Sequence, residues 1–217
     1  MRHARFALAL FVVCLVAAPL VAQVPGGPVG NLNQPAGSVP NILFGDQTLA
    51  YLIFPSEQVS CPDAGFQLET VRVYLEFTEN QVPVTLNVGG GLLRAVPEGD
   101  GYVPGDAIYF TESRPIVINE PGLQLIEVPV GDAATCEAIA EPYFLGLRFD
   151  GPAEANLVID DQPAPGIEFI DSGNGFVDLN GFDKTSGGKV IIWGDIVCCI
   201  ITGTESSSWH GIKQMFR

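Results

Sequence analysis

Apolar and polar residues alternate with a period of two along several stretches of the chain. The clearest stretch runs from Val71 to Phe77, and the same period continues through Val84–Val88 and returns at Tyr143–Phe149. Successive side chains of a β-strand point to opposite faces of the sheet, whereas a helix repeats every 3.6 residues. The pattern therefore predicts strands that bury one face and expose the other.

Shorter apolar runs, bounded by turn residues, add further strand candidates. They are Leu49–Phe54, Ala107–Thr111, Pro115–Ile118, Leu123–Val128, Leu157–Ile159, Ile167–Ile170 and Phe176–Leu179. Val190–Trp193 and Ile196–Ile201 form a nearly continuous apolar run, which predicts a strand covered on both faces and a buried Trp193.

Glycine-rich turns separate these runs, for example at Gly89–Gly91 and Gly173–Gly175, and no core segment keeps a helical period. Short strands joined by turns are typical of all-β domains. We predict an antiparallel β-sandwich of jelly-roll type with about ten strands over residues 41–202.

The two ends of the chain differ from this domain. Positive residues precede the apolar run Phe6–Ala18, and a small residue, Ala22, comes just before a polar, turn-rich stretch. This predicts a secretory signal peptide over residues 1–22 that is cleaved after Ala22; the alternative is an uncleaved anchor helix, for which the run is short. Residues 23–40 contain four prolines, four glycines and no charge, which predicts a linker.

Composition narrows the classes of partner. The chain has 217 residues, of which 47% are hydrophobic and 16% charged, with 25 acids against 10 bases and a formal net charge of −15. A basic footprint is needed to bind phosphate groups, so nucleic acid is not expected as a partner. The charge is compatible with cation binding and with neutral ligands such as sugars.

Four cysteines remain after the predicted signal peptide, and an even number suits an oxidising compartment. Cys198 and Cys199 are neighbours in a strand-like run and point to opposite faces, so a bond between them would be strained. We predict that Cys61 and Cys136 each bond to one of this pair. A zinc site is the alternative, but no Cys-x-x-Cys spacing is present.

Histidine occurs only at His3 and His210, outside the predicted domain. Histidine-dependent catalytic triads and histidine zinc sites are therefore excluded there, and no P-loop is present. Asp171-Ser172-Gly173 resembles the aspartic-protease loop, but the spacing to an apolar-glycine partner segment is wrong. A glycosidase with two carboxylates is a further alternative, although pairs of acids are too numerous to single one out.

Oxygen donors concentrate near one loop. Asp171, Asp178, Asn180 and Asp183 are interleaved with glycines, a composition that suits a structural calcium ion. The alternative is that these acids are solvated turn residues, with Asp171 capping the turn. No other cofactor is expected. Aromatic candidates for contact with a sugar are Tyr51, Tyr74, Tyr102, Tyr109 and Phe144.

Two segments carry a resemblance to other proteins. Gln67–Leu75 followed by Val82–Val88, with Ile126–Val130 and Tyr143–Leu147 later, resembles the strands of jelly-roll modules in exported bacterial surface proteins. The resemblance covers roughly residues 47–150. It implies a β-sandwich that binds a ligand, acts as a spacer or decorates the surface. It implies no catalytic residue.

The C-terminal segment, residues 203–217, is basic and aromatic. Its stretch from Trp209 is similar to tryptophan-started endings of assorted exported bacterial proteins. The helical spacing of Trp209, Ile212 and Phe216, with the bases Lys213 and Arg217 beside them, predicts a segment that docks on a surface or partner. A frayed terminus, or a strip packed on its own acidic domain, is the alternative.

Together these features predict an exported, non-enzymatic β-sandwich with a structural, adhesion or surface-associated role. The alternatives are a carbohydrate-binding module and, less favoured, a carboxylate-dependent hydrolase. A cell-surface protein or a glycan is the expected partner, in the extracellular space, at the cell surface or in the periplasm. The oligomeric state is left open.

Overall fold

A computed structural model describes residues 24–62, 64–131, 134–162, 165–179 and 188–199. The predicted signal peptide and the C-terminal segment lie outside these residues, as do Asn180 and Asp183 of the predicted calcium loop.

The described residues form twelve β-strands and one short helix. In chain order they are β1 Val24–Gly30, β2 Gly37–Ile53, α1 Pro55–Gln58, β3 Gly65–Phe77, β4 Val84–Glu98, β5 Gly101–Phe110, β6 Arg114–Ile118, β7 Gly122–Pro129, β8 Glu137–Ala138, β9 Tyr143–Ile159, β10 Glu168–Asp171, β11 Phe176–Asp178 and β12 Ile192–Cys198. No helix able to cross a membrane is found in this part of the chain.

All the pairings are antiparallel, and the strands form one continuous hydrogen-bonded sheet that divides into two layers. The first layer has the order β7, β3, β12, β1, with the two-residue β8 paired to the start of β3. The second layer has the order β11, β10, β2, β9, β4, and β6 and β5 follow each other end to end along the other edge of β4. Long β2 and β9 link the layers, because the far end of β9 also pairs with β3. The register of β2 against β9 shifts around Gly45, where the strands bend.

The inner faces of the two layers enclose one hydrophobic core. Gly194 of β12 shows how closely they pack, since a Cβ atom there would lie 2.9 Å from Leu145 Cδ2 of β9. Likewise, a Cβ atom at Gly90 of β4 would lie 3.1 Å from Val128 Cγ1 of β7. The alternation predicted for β3 is confirmed, since Val71, Val73, Leu75 and Phe77 are buried.

The predicted all-β antiparallel fold is thus confirmed, with twelve described strands in place of about ten. The interpretation of residues 23–40 as a linker was wrong. Val24–Gly30 forms β1, which pairs with β12 at the edge of the first layer, and Val29 is fully buried. Proline has no backbone N–H and cannot donate a hydrogen bond to a neighbouring strand. Pro25 and Pro28 are tolerated in β1 because one side of an edge strand has no neighbour to accept such a bond.

Two disulfides join the first layer to the loops beside it. Cys61 bonds to Cys198, and Cys136 bonds to Cys199. This is the predicted pattern, in which each distant cysteine takes one member of the adjacent pair. Disulfides persist in oxidising compartments, so the pairing indicates a protein that resides outside the reducing cytosol.

Candidate functional site

The outer face of the first layer carries an aromatic pair. The alternation of β3 that buries Val73 and Leu75 directs Tyr74 away from the core. In β12, Ile192 and Gly194 are buried, so Trp193 between them also points outward and is only partly covered. The Tyr74 and Trp193 rings lie 5.6 Å apart between centroids, tilted by 49°.

The predicted burial of Trp193 was therefore wrong. The apolar run Val190–Trp193 suggested a strand covered on both faces, but the period of two overrides the local composition and places Trp193 on the outer face. Gly30 of β1 lies opposite Trp193, and a Cβ atom there would be 3.3 Å from Trp193 Cβ and 2.6 Å from the Ile192 carbonyl oxygen. Because Gly30 has no side chain, the β1 backbone can lie this close to Ile192 and Trp193.

A shallow groove of ≈ 300 Å³ runs beside the aromatic pair. Its walls are the loop Leu32–Pro35 and the side chains of Tyr74, Ile191 and Trp193. We call this the aromatic groove. On its β7 side, Leu125 lies opposite Tyr74 in the ladder and is 41% exposed, which extends the apolar surface.

Charged side chains lie near the aromatic pair, since Arg72 is opposite Trp193 in the β3–β12 ladder. The Arg72 guanidinium forms an ion pair with Glu127 at 2.6 Å and a second one with Asp195. Glu76 accepts a hydrogen bond from the Ser38 hydroxyl. These contacts hold a guanidinium and several carboxylates beside the aromatic rings, with their orientation set before any ligand arrives.

A second, larger groove of ≈ 530 Å³ lies on the other side of the Leu32–Pro35 loop. We call it the polar groove. Its polar lining side chains include Asn33, Glu57, Gln162 and Lys189, and Phe54 contributes an aromatic ring. Leu32 and Asn33 line both grooves, so the two are neighbours across one loop.

Asp160, which is 1% exposed, holds this loop in place. Its carboxylate accepts hydrogen bonds from the Asn31 and Asn33 side-chain amides at 3.1 and 2.6 Å. It also accepts from the backbone N–H groups of Gln162 and Lys189 at 2.9 and 2.7 Å. Burial acts to raise the pKa of Asp160, but these four hydrogen bonds outweigh it and lower the pKa.

Glu168 is the second buried carboxylate nearby, and it is also 1% exposed. One oxygen accepts a hydrogen bond from the Val190 N–H, while Oε2 has no partner among the described residues. Burial, with the negative charges of Asp160 and Asp178, raises the pKa of Glu168 to about 8. The phenol of Tyr51, opposite Glu168 in the ladder, has its pKa raised by burial and by the negative charges of Glu168 and Asp160.

The predicted calcium ligands have other contacts. Asp171 Oδ1 accepts hydrogen bonds from the N–H groups of Gly173 and Gly175, as a turn cap does. Asp178 Oδ2 accepts from the Gly166 N–H. No group of three potential metal-binding side chains occurs within the described ranges. Asn180 and Asp183 lie outside those ranges, so the four predicted ligands are not brought together here.

Of the aromatic residues predicted to contact a sugar, Tyr74 lines the aromatic groove and Tyr51 is among the residues that line the polar groove. Tyr51 and Phe144 are buried, and Tyr109 packs against the main core with its hydroxyl buried. Tyr102 packs against a smaller apolar cluster on the outside of the second layer. Sequence reasoning missed Trp193, although the alternation Ile192–Trp193–Gly194 carried the signal.

Comparison with known proteins adds no family assignment. No family model matches the chain, and no curated protein matches it. Among solved structures, it is similar to the cysteine protease and lectin-like domains of Cwp84, a surface layer associated protein of Clostridium difficile, with 17% identity over 72% of this chain and a TM-score of 0.45. It is also similar to clostridial Cwp84 after propeptide cleavage, with 16% identity over 73% of this chain and a TM-score of 0.47. The chain spans 33% and 37% of those two solved chains, and similarity at this level bears on neither the identity nor the function of the protein.

Proposed function

We propose that this chain is an exported, non-enzymatic, surface-associated module that binds a glycan in the aromatic groove. The observation that carries the proposal is the Tyr74–Trp193 pair on a strand face that points away from the core. Two adjacent aromatic rings that are only partly covered and line a groove offer a contiguous apolar surface to a ligand, which a singly exposed side chain does not.

The chemistry of the groove suits a sugar. A sugar ring offers an apolar C–H face that packs against an aromatic ring, and hydroxyl groups around its edge that form hydrogen bonds. The aromatic groove supplies both kinds of contact, with Tyr74 and Trp193 as the packing surface and Asn33 and Gln34 as polar residues in its lining. The net charge of −15 favours a neutral glycan over an acidic one.

Two features support a binding role over a catalytic one. The predicted domain contains no histidine. The carboxylates with perturbed pKa values, Asp160 and Glu168, are each 1% exposed. A general acid or base must come within hydrogen-bond distance of its substrate, and these groups do not reach a groove surface.

The proposal also includes export and association with the cell surface. The disulfides Cys61–Cys198 and Cys136–Cys199 support export, as does the predicted signal peptide. We also propose that the chain is related to the exported jelly-roll modules that its strands resemble. The C-terminal segment is proposed to act as a docking or sorting element. Glycan binding gives the predicted adhesion role a physical basis.

Binding to a panel of insoluble polysaccharides, including cellulose, chitin and mannan, tests the proposal. We expect the wild-type chain to bind at least one of them, and Trp193→Ala and Tyr74→Ala each to weaken that binding about tenfold or more. Val117→Ala is the matched control, because Val117 is 59% exposed on β6 of the second layer. Wild-type levels of binding by both aromatic variants, or no binding to any member of the panel, would overturn the proposal.

A further inference from the structure

We infer that the aromatic groove and the polar groove are two subsites of one cleft, and that the ligand is a neutral oligosaccharide chain long enough to occupy both. This inference rests on the proposed function and adds the size and chemical class of the ligand. It assigns the stacking contacts to the aromatic groove and most of the direct hydrogen bonds to the polar groove.

The two grooves are adjacent in the fold. Leu32 and Asn33 form a wall common to both. Trp193 lies opposite Gly30 in the β1–β12 ladder, and Gly30 lines the polar groove. Neighbouring strands are about 4.8 Å apart between their backbones, so the strand that carries Trp193 and the strand that ends at Gly30 place the two grooves side by side. A single sugar on the Tyr74–Trp193 pair leaves the polar groove empty.

The polar groove carries side chains suited to hydroxyl groups. Glu57 and Gln162 are exposed, and together they offer acceptors and donors at the groove surface. Lys189 adds a donor, and no carboxylate lies within ion-pair distance of it among the described residues. Phe54 continues the apolar surface. One acid and one base balance each other here, which suits an uncharged chain in a strongly acidic protein.

The shared wall is held rigidly. The Gln58 side chain donates to the Gly30 carbonyl at 3.0 Å and accepts from its N–H at 2.8 Å. The Asn31 N–H donates to the Ile192 carbonyl at 2.7 Å, and Asp160 accepts from Asn33 on the far side of the loop. A loop fixed in this way loses little conformational entropy when a ligand binds, so the cleft is formed before the glycan arrives.

Titration calorimetry with β-1,4-linked oligomers of glucose, N-acetylglucosamine and mannose, from dimer to hexamer, tests the inference on the full chain. For the sugar that binds, we expect affinity to rise about tenfold or more from dimer to hexamer. Glu57→Ala and Gln162→Ala should each weaken hexamer binding about three- to tenfold and leave dimer binding unchanged, because each removes about one hydrogen bond. Glu98→Ala is the charge-matched control, since Glu98 is exposed at the far tip of the β4–β5 hairpin.

The outcomes separate the inference from the proposed function. In one outcome, dimer and hexamer bind equally, the polar-groove variants bind like wild type, and Trp193→Ala still abolishes binding. The two-subsite cleft is then wrong and glycan binding stands. If no oligomer binds, or Trp193→Ala has no effect, both fall. A melting temperature within about 2 °C of wild type for each variant ensures that a loss of binding reflects the removed contact.

Discussion

Glu168 makes the stability of this protein depend on pH in a direction opposite to that of most carboxylates. Its side chain is 1% exposed, one of its oxygens has no partner among the described residues, and Asp160 and Asp178 add negative charge to its surroundings. Lys189 and the Val190 N–H act in the other direction but do not compensate. The folded protein therefore keeps Glu168 protonated at neutral pH, with a pKa of about 8.

The sign and size of the effect follow from linkage. In the unfolded chain Glu168 loses its proton near its ordinary value of 4.5, whereas in the folded state it keeps the proton to about pH 8. Between these values the folded state binds more protons, so stability falls as pH rises. The shift corresponds to about 5 kcal/mol between pH 4.5 and 8, a large part of a typical domain's stability. The lowered pKa of Asp160 acts in a separate window below about pH 4, where its stabilising contribution is lost as pH falls.

Urea unfolding of the disulfide-intact protein across pH 4.5 to 9 measures this directly. We expect the wild-type free energy of unfolding to decline between pH 4.5 and about 8, and the Glu168→Gln variant to show a flatter profile and greater stability at pH 8. The neutral amide keeps an acceptor for the Val190 N–H and removes the titrating group. Exposed Glu98→Gln is the control. Parallel profiles for Glu168→Gln and wild type would refute the reasoning.

Three further predictions concern packing, the disulfides and the C-terminal segment. Gly194→Ala should cost about 1–3 kcal/mol in chemical denaturation, because its Cβ would lie 2.5 Å from Leu68 Cδ1 and 2.9 Å from Leu145 Cδ2; an unchanged midpoint would contradict the close packing around Gly194. Replacing Cys61 and Cys198 together by serine should lower the free energy of unfolding by about 4 kcal/mol, and a loss below about 1 kcal/mol would count against this staple. Deleting residues 206–217 should leave the melting temperature nearly unchanged and alter localisation or partner binding; a large drop in melting temperature would show that the segment belongs to the fold.

The parts of the fold that were predictable are those encoded locally. The alternation from Val71 to Phe77 reports directly which side chains of β3 face the core, and the structure confirms it. The two distant cysteines were assigned to Cys198 and Cys199 because adjacent strand residues point to opposite faces. β1 escaped notice because proline and glycine oppose a central strand, and only its position at an edge makes Val24–Gly30 admissible.

The grooves could not be assembled from the sequence because their walls come from distant segments. Tyr74, Trp193 and the Leu32–Pro35 loop meet only through the pairing of β3, β12 and β1. Nothing local in the sequence specifies that register. The orientation of Trp193 was available from the period of two, but the apolar residues on both sides of it suggested burial.

Fluorescence of Trp193 during titration with the glycan tests the central claim most directly. The chain contains two tryptophans, Trp193 and Trp209, so the Trp209→Phe variant leaves the indole of the aromatic groove as the sole reporter. If a sugar stacks on this ring, adding an oligosaccharide that binds by calorimetry should shift the emission to shorter wavelength. The shift should saturate with ligand concentration, and its midpoint should match the calorimetric Kd. An emission spectrum that stays unchanged while the same oligosaccharide binds by calorimetry would contradict the assignment of the aromatic groove as the binding site.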